Sequence, residues 1–177
     1  MLLAAFALRL YRLGAASLWY DETVSVILAQ KDWLALTHHT AGDIHPPLYY
    51  YLLHLWGRLA GWSEFAVAFL SLFFGVLLIA LVYRVAREWF NARVARFAAL
   101  LVALSPYNLW YSQEVRMYTL GAFLGLASTY LFVRMLQRAS HSIHHVSRFT
   151  PHASRLTIRR FNLEQNSCHR RLRFHRL

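Results

Sequence analysis

The sequence has few of the residues that build small soluble or disulfide-stabilised domains. Its single cysteine, Cys168, excludes any internal disulfide, and only 15% of the 177 residues are charged. Among the charged residues the acidic ones are fewer, with 8 Asp and Glu against 19 Lys and Arg. Hydrophobic residues make up 58% of the chain, which is too high for an ordinary soluble domain and is typical of a membrane protein.

Long runs without a charged residue predict membrane-spanning helices. Phe65 to Tyr83 and Met117 to Val133 come close to the roughly 20 apolar residues that cross a hydrocarbon layer. The uncharged run from Phe97 to Tyr111 is shorter and predicts a further span. The N-terminal stretch from Met1 to Leu13 is also short and carries Arg9 and Arg12 near its end, and we interpret it as a first span. The expected fold is therefore all-α and polytopic, with about four transmembrane spans.

Two shorter stretches predict helices that lie on the membrane surface. LYYYLLHLWGRLAG, residues 48–61, gives roughly 21 Å of helix, which is less than a hydrocarbon core of about 30 Å. Its tyrosines and tryptophan suit the headgroup level, and the preceding Pro46 and Pro47 suit the first turn of a helix. Residues 22–37 predict a second interfacial helix, with Asp21 as its N-cap.

Positive residues near span ends predict the orientation of the chain. Four arginines follow the Phe65–Tyr83 run and place that loop on the cytoplasmic side: Arg84, Arg87, Arg93 and Arg96. Residues 14–63 and 112–116 are then extracytoplasmic, although Arg9 and Arg12 oppose this assignment. If residues 48–61 crossed the membrane instead, 112–116 would face the opposite side from Asp21.

The last forty residues differ in amino-acid composition from residues 1–137. Residues 1–137 form the predicted membrane-embedded portion. Residues 138–177 contain nine Arg, one Glu and six of the ten His, without a sustained hydrophobic period. This composition predicts a basic tail that is disordered or is a non-native translation. The alternatives are an arm that binds nucleic acid or anionic lipid, and a metal-binding histidine tract.

Polar residues cluster at three places where membrane helices are predicted to begin or end. The clusters are Asp21-Glu22, GDIHPPLYYY at 42–51 and YSQEVRMY at 111–118. Helix capping explains part of them, with Ser112 as the cap of the fourth span and Glu114 in its first turn. Capping does not explain Arg116 at the start of an apolar helix or His45 before two prolines, because ionisable groups at membrane depth are costly.

Together these residues suit glycosyl transfer. A carboxylate beside an acceptor hydroxyl can act as a general base, and a neighbouring cation favours its ionised form. Arginine and histidine can hold a phosphate leaving group and stabilise the charge that develops on it.

Three segments resemble one family of membrane enzymes: LRLYRLGAASLWYDETVSV, DIHPPLYYYLLHLW and SPYNLWYSQEVRMYTLGAF. In this order they are similar to the N-terminal part of GT-C glycosyltransferases related to protein O-mannosyltransferases and aminoarabinose transferases. The resemblance implies a polyprenyl-phosphate sugar donor and an active face outside the cytoplasm. It predicts a multi-pass protein of the cell membrane.

The resemblance also implies roles for single residues. Asp21 matches the catalytic Asp of the first loop, with Glu22 as its acidic neighbour. His45 falls where relatives bind the donor phosphate, and the second outer loop lines the substrate site with Tyr111, Gln113, Glu114 and Arg116. Because some relatives take a metal ligand from a later loop, a divalent metal stays open, and we predict no other cofactor.

The length of the chain adds an expectation and an alternative. Relatives continue for many more spans, so we expect a truncated or frameshifted N-terminal portion that is inactive alone, with an unknown acceptor and no nucleic-acid partner. The alternative is a non-enzymatic helical scaffold in the membrane, whose basic tail contacts lipid or RNA. A transporter fragment is less favoured, because no predicted span carries a charge near its centre.

Overall fold

The computed structural model describes residues 1–15, 17–42 and 46–139. These residues form eight helices and no strand, which confirms the all-α prediction. The helices are α1 Leu2–Leu10, α2 Tyr20–Gln30, α3 Trp33–Ala41, α4 Pro47–Ala60, α5 Glu64–Trp89, α6 Ala92–Leu104, α7 Pro106–Gln113 and α8 Tyr118–Ala139. Most of the predicted basic tail and His45 lie outside the described residues.

Two of the helices are long and apolar enough to cross a membrane. They are α5, with 26 residues, and α8, with 22 residues, and they coincide with the two longest uncharged runs of the sequence. Ser63 caps α5 by accepting the backbone N–H of Ala66 at 3.2 Å, which satisfies one of the orphan amides of the first turn. The prediction of long apolar helices at these two places is therefore confirmed.

The other two predicted spans are shorter in the structure. Helix α1 has 9 residues and α6 has 13. The expected continuous helix from Phe97 to Tyr111 is wrong, because α6 ends at Leu104 and α7 starts at Pro106. Pro106 has no backbone N–H to continue the ladder, and the Ser105 hydroxyl starts the new helix by accepting the N–H of Asn108 at 3.4 Å.

The predicted surface helix over residues 22–37 is also divided. Lys31 and Asp32 both have extended backbone angles, so α2 ends and α3 begins between them. Helix α4 confirms a helix at residues 48–61, and Pro46 and Pro47 stand at its start as expected, while its place at the membrane surface stays a prediction. Its buried face includes Tyr49 and Leu53.

Residues 1–130 form one compact unit with α5 at its centre. Helices α1, α4, α6 and α7 all pack against α5, and α2 packs against α4. Val67 and Leu72 of α5 share one fully buried cluster with Leu53 and Val115. A second unit begins at Leu131, and its described part is the end of α8.

Candidate active site

The acidic pair occupies the first turn of α2, but not in the predicted way. Trp19 is the N-cap, and Glu22 reaches back to accept its backbone N–H through Oε2 at 3.2 Å. Asp21 as the N-cap is therefore wrong: the helix begins before it, at Tyr20. The Asp21 side chain is left 47% exposed in the first turn, where the helix dipole favours a negative charge.

Glu22 also joins α2 to a distant part of the chain. Its second oxygen, Oε1, accepts the backbone N–H of Val115 at 2.7 Å. Both Glu22 and Val115 are buried. One carboxylate thus fixes the non-helical segment 114–117, which connects α7 to α8, against the start of α2.

Arg116 lies beside Asp21. Its Nη2 is 3.9 Å from Asp21 Oδ2, and its Nη1 donates to the Asp21 carbonyl oxygen at 3.4 Å. The Arg116 side chain is 10% exposed, and its guanidinium carbon lies 5.8 Å from the centre of the Tyr118 ring. The prediction that Arg116 lies just inside the start of an apolar helix is wrong, because α8 begins two residues later, at Tyr118.

Glu114 and Ser112 also precede α8, so the predicted capping of that helix by these two residues is wrong. Ser112 belongs to α7 and donates to the carbonyl oxygen of Asn108 at 2.5 Å. Glu114 accepts the indole N–H of Trp110 at 2.5 Å. Burial raises the pKa of the Glu114 carboxyl above its ordinary value, although the Trp110 hydrogen bond acts in the opposite direction.

A cavity of about 590 Å³ opens next to these carboxylates. Glu22, Glu114 and the exposed Glu64 line it together with Arg12 and several aromatic side chains. The aromatic members are Trp19, Trp110, Tyr111 and Tyr118. The cavity therefore combines acidic groups with flat apolar surfaces.

Two further predicted residues, Tyr111 and Gln113, line the same cavity. The Tyr111 ring packs edge-to-face against the ring of Tyr118, with centroids 4.5 Å apart. The Gln113 amide donates to the carbonyl oxygens of Arg9 and Tyr11 at 3.0 and 2.9 Å, so it connects the end of α7 to the end of α1.

The structure thus brings together six of the seven predicted site residues: Asp21, Glu22, Tyr111, Gln113, Glu114 and Arg116. The seventh, His45, lies outside the described residues. The described ranges contain no group of three or more His, Cys, Asp or Glu side chains that could hold a metal ion.

Arg9 supports this region and was missed as a site residue. It is fully buried, and its guanidinium donates to the Ala103 carbonyl at 3.2 Å, to Asn108 Oδ1 at 3.0 Å and to Ser112 Oγ at 3.2 Å. The signal was present, because a charged residue within an apolar run is costly unless it has partners. Arg9 ties α1 to the break between α6 and α7.

The fold and the site define a class of protein: in its described residues it is helical, with two helices long and apolar enough to cross a membrane, and a carboxylate and a guanidinium pair where two segments meet. The model of the dolichyl-phosphate-mannose-protein mannosyltransferase family matches residues 44–147, well over half of the chain. The chain belongs to this family of glycosyltransferases, which are of the GT-C type. No curated protein and no solved structure matches it.

The matched range contains Glu114 and Arg116 and begins after Asp21 and Glu22. The acidic pair is therefore connected to the matched part by contacts in space: the Glu22–Val115 hydrogen bond and the Asp21–Arg116 pair. The family match confirms the resemblance seen in the sequence.

Proposed function

We propose that this chain carries the catalytic carboxylate of a glycosyltransferase that uses a polyprenyl-phosphate sugar on the extracytoplasmic face of the membrane. The observation that carries the proposal is the pairing of Asp21 with Arg116 at 3.9 Å. Glu22, the chain neighbour of Asp21, lines the cavity together with Glu114. Membership of a mannosyltransferase family supports this chemistry.

Asp21 is the residue we assign as the general base. Its side chain is 47% exposed, so an acceptor hydroxyl can reach it, whereas the Glu22 carboxylate is occupied by two backbone N–H groups. A base must stay ionised to accept a proton, and the neighbouring guanidinium favours the charged carboxylate. Glu22 is a positioning residue for Asp21.

Arg116 is the residue we assign to the donor phosphate. A guanidinium offers several N–H donors in a fixed plane, which suits phosphate oxygens, and its charge stabilises a departing phosphate. Burial of most of the side chain strengthens these interactions, because water competes less with the anion.

The proposed reaction exchanges one bond at the anomeric carbon for another and transfers one proton. The acceptor hydroxyl gives its proton to the Asp21 carboxylate, and its oxygen bonds to the anomeric carbon of the sugar. The bond from that carbon to the phosphate oxygen breaks, and the electron pair leaves with the polyprenyl phosphate beside Arg116. Attack opposite the leaving group inverts the anomeric centre.

The proposal is tested by separating donor binding from transfer. Donor binding is measured on the chain reconstituted in lipid vesicles, and turnover of a radiolabelled polyprenyl-phosphate mannose is measured on a full-length enzyme that carries these residues as its N-terminal portion. We expect Asp21→Asn to bind the donor as the wild type does and to turn it over at least about a hundredfold more slowly, in line with the loss of a general base. We expect Arg116→Gln to weaken donor binding by about tenfold or more, because a charged hydrogen bond is removed.

Arg87→Gln is the matched control, since it removes an exposed arginine in the last turn of α5, whereas Glu64 at the start of α5 lines the cavity. It should change neither quantity. A wild-type chain that does not bind the donor, an Asp21→Asn variant with wild-type turnover, or an Arg116→Gln variant with wild-type affinity would contradict the proposal.

A further inference from the structure

A second cavity, of about 420 Å³, lies where α2 gives way to α3 against α4. It shares no lining residue with the cavity beside Glu22 and Glu114. Its charged lining residues are Lys31, Asp32 and Arg58, all of them exposed, and Trp33 and Trp62 also line it. None of these residues belongs to the proposed transfer site.

His54 lines this cavity and has an unused ring nitrogen. The side chain is only 4% exposed, and Nδ1 donates to the carbonyl oxygen of Ala29 at 2.7 Å. Ala29 lies in the last turn of α2, so this bond satisfies one of the orphan carbonyls at the helix end. Within the described part of the chain, His54 Nε2 is the one buried side-chain nitrogen or oxygen without a hydrogen-bond partner.

A buried polar atom without a partner is unfavourable, which points to a ligand or a water molecule at that place. With Nδ1 as the donor to Ala29, the neutral ring can accept at Nε2 from an O–H group. The protonated ring can instead donate there to an ionised oxygen. A phosphate group offers both kinds of oxygen.

The start of α3 adds donors to the same cavity. Asp32 is the N-cap of this nine-residue helix, but its carboxylate makes no capping hydrogen bond. The first N–H groups of a helix have no partner within the helix, and the dipole there favours an anion. Trp33, the first residue of α3, lies directly at the cavity.

The exposed charges favour an anion over a cation. Lys31 and Arg58 contribute two positive charges against the single negative charge of Asp32. Lysine and arginine are the side chains that bind phosphate oxygens most strongly. The two indole rings are of the kind enriched where a membrane meets water, at the level of lipid headgroups.

From the orphan His54 nitrogen, the uncapped start of α3 and the two cations, we infer that this cavity binds a phosphate group. The group belongs either to an anionic lipid headgroup or to a soluble phosphate. Lys31 and Arg58 hold its charge, and His54 Nε2 fixes its orientation at the buried end. The site is separate from the one that Arg116 forms with Asp21.

The test titrates inorganic phosphate into the full chain in micelles of an uncharged detergent, and phosphatidic acid into the same micelles, with calorimetric detection. Lys31→Gln combined with Arg58→Gln should weaken binding by at least about tenfold. Asp32→Asn should strengthen binding, since it removes the one negative charge and keeps a good capping residue. His54→Asn places an amide where Nδ1 stood, so it can keep the bond to Ala29 while deleting Nε2, and it should weaken binding.

Two controls identify the cavity. Arg87→Gln removes an exposed arginine elsewhere, and Arg116→Gln removes the phosphate ligand that we assign to the transfer site. Arg87→Gln should not change the affinity. Any binding that Arg116→Gln removes belongs to the transfer site, so the binding assigned to this cavity is that which persists in Arg116→Gln and is weakened there by the Lys31 and Arg58 changes. If His54→Asn does not fold, the Lys31 and Arg58 variant, with both changes at exposed positions, decides alone.

If inorganic phosphate binds and the Lys31, Arg58, Asp32 and His54 variants change its affinity as expected, the ligand is a soluble phosphate. If only phosphatidic acid shows these changes, the ligand is a lipid headgroup. Either result supports the inference. Absence of binding by both probes would overturn it. So would binding that the Lys31 and Arg58 changes leave unaltered, or binding that Asp32→Asn weakens.

Discussion

The backbone N–H of Val115 donates to the Glu22 carboxylate at 2.7 Å and joins two segments that are 93 positions apart. The chain neighbour of Glu22 is Asp21, and the chain neighbour of Val115 is Arg116. The hydrogen bond between the inner pair therefore helps to hold the outer pair together, which also makes its own contacts. In this family of mannosyltransferases, that outer pair is where we place the base and the phosphate ligand.

Glu22→Gln should destabilise the protein more than Asp21→Asn does. Both oxygens of Glu22 accept backbone N–H groups, and a glutamine offers only one acceptor oxygen. One buried donor then loses its partner, which costs about 1–3 kcal/mol of unfolding free energy. Asp21 is 47% exposed, and its change to Asn should cost no more than about 0.5 kcal/mol. Thermal unfolding in detergent checks both, and equal midpoints for the two variants would refute the role of Glu22.

Gly75 of α5 lies directly against Ser112 of α7. A Cβ added there would lie 2.2 Å from the Ser112 hydroxyl oxygen and 3.0 Å from the Ser112 Cβ. Gly75→Ala should therefore push α5 and α7 apart and lower the unfolding free energy by about 1–3 kcal/mol. It should also weaken the Arg9–Ser112 hydrogen bond, which forms beside it.

Gly125→Ala on α8 is the matched control for this substitution. Nothing lies within 4 Å of a Cβ added at Gly125, so the change should leave stability unaltered or raise it through better helix propensity. Melting temperatures of the two alanine variants provide the comparison. Equal stability of both variants would show that α5 and α7 do not approach each other as described.

The titration of Glu114 should contribute to the pH dependence of the unfolding free energy. Burial raises the pKa of this carboxyl, so the folded state holds the proton to higher pH than the unfolded chain. The stability that Glu114 contributes is complete below the ordinary carboxyl pKa of about 4.3 and is lost as pH rises through the raised pKa. The Glu114→Gln variant has no titrating group at this position, so its unfolding free energy should increase relative to that of the wild type as pH rises through the raised pKa of Glu114. Unfolding midpoints measured against pH check this, and a difference that stays constant with pH would contradict it.

The long helices could be predicted from the sequence because the signal is local. Uncharged runs at Phe65–Tyr83 and Met117–Val133 correspond to α5 and α8, and the two prolines mark the start of α4. These features depend on apolar length and on the missing N–H of proline, neither of which needs a partner elsewhere in the chain.

The helix breaks and the caps could be predicted less well, because competing local signals are decided in three dimensions. Pro106 signalled the end of α6, but the continuous apolar run favoured a longer helix. Asp21 and Glu22 both suit a helix start, but the helix begins at Tyr20 with Trp19 as its N-cap, and Glu22 is in addition held by Val115 from a distant segment. Arg9 was read for its charge alone, whereas its partners come from α6 and α7.

The most direct test of the account is the sidedness of the two segments that build the site. In a Cys168→Ser background, single cysteines are placed at Tyr20, which is 81% exposed, and at the exposed Gln113, with Arg93 as a reference after α5. Cells are treated with a membrane-impermeant maleimide before and after permeabilisation. We expect Tyr20→Cys and Gln113→Cys to react in intact cells and Arg93→Cys to react only after permeabilisation. Reaction of Tyr20→Cys and Gln113→Cys from opposite sides would contradict a shared site, and reaction of both only after permeabilisation would contradict its extracytoplasmic face.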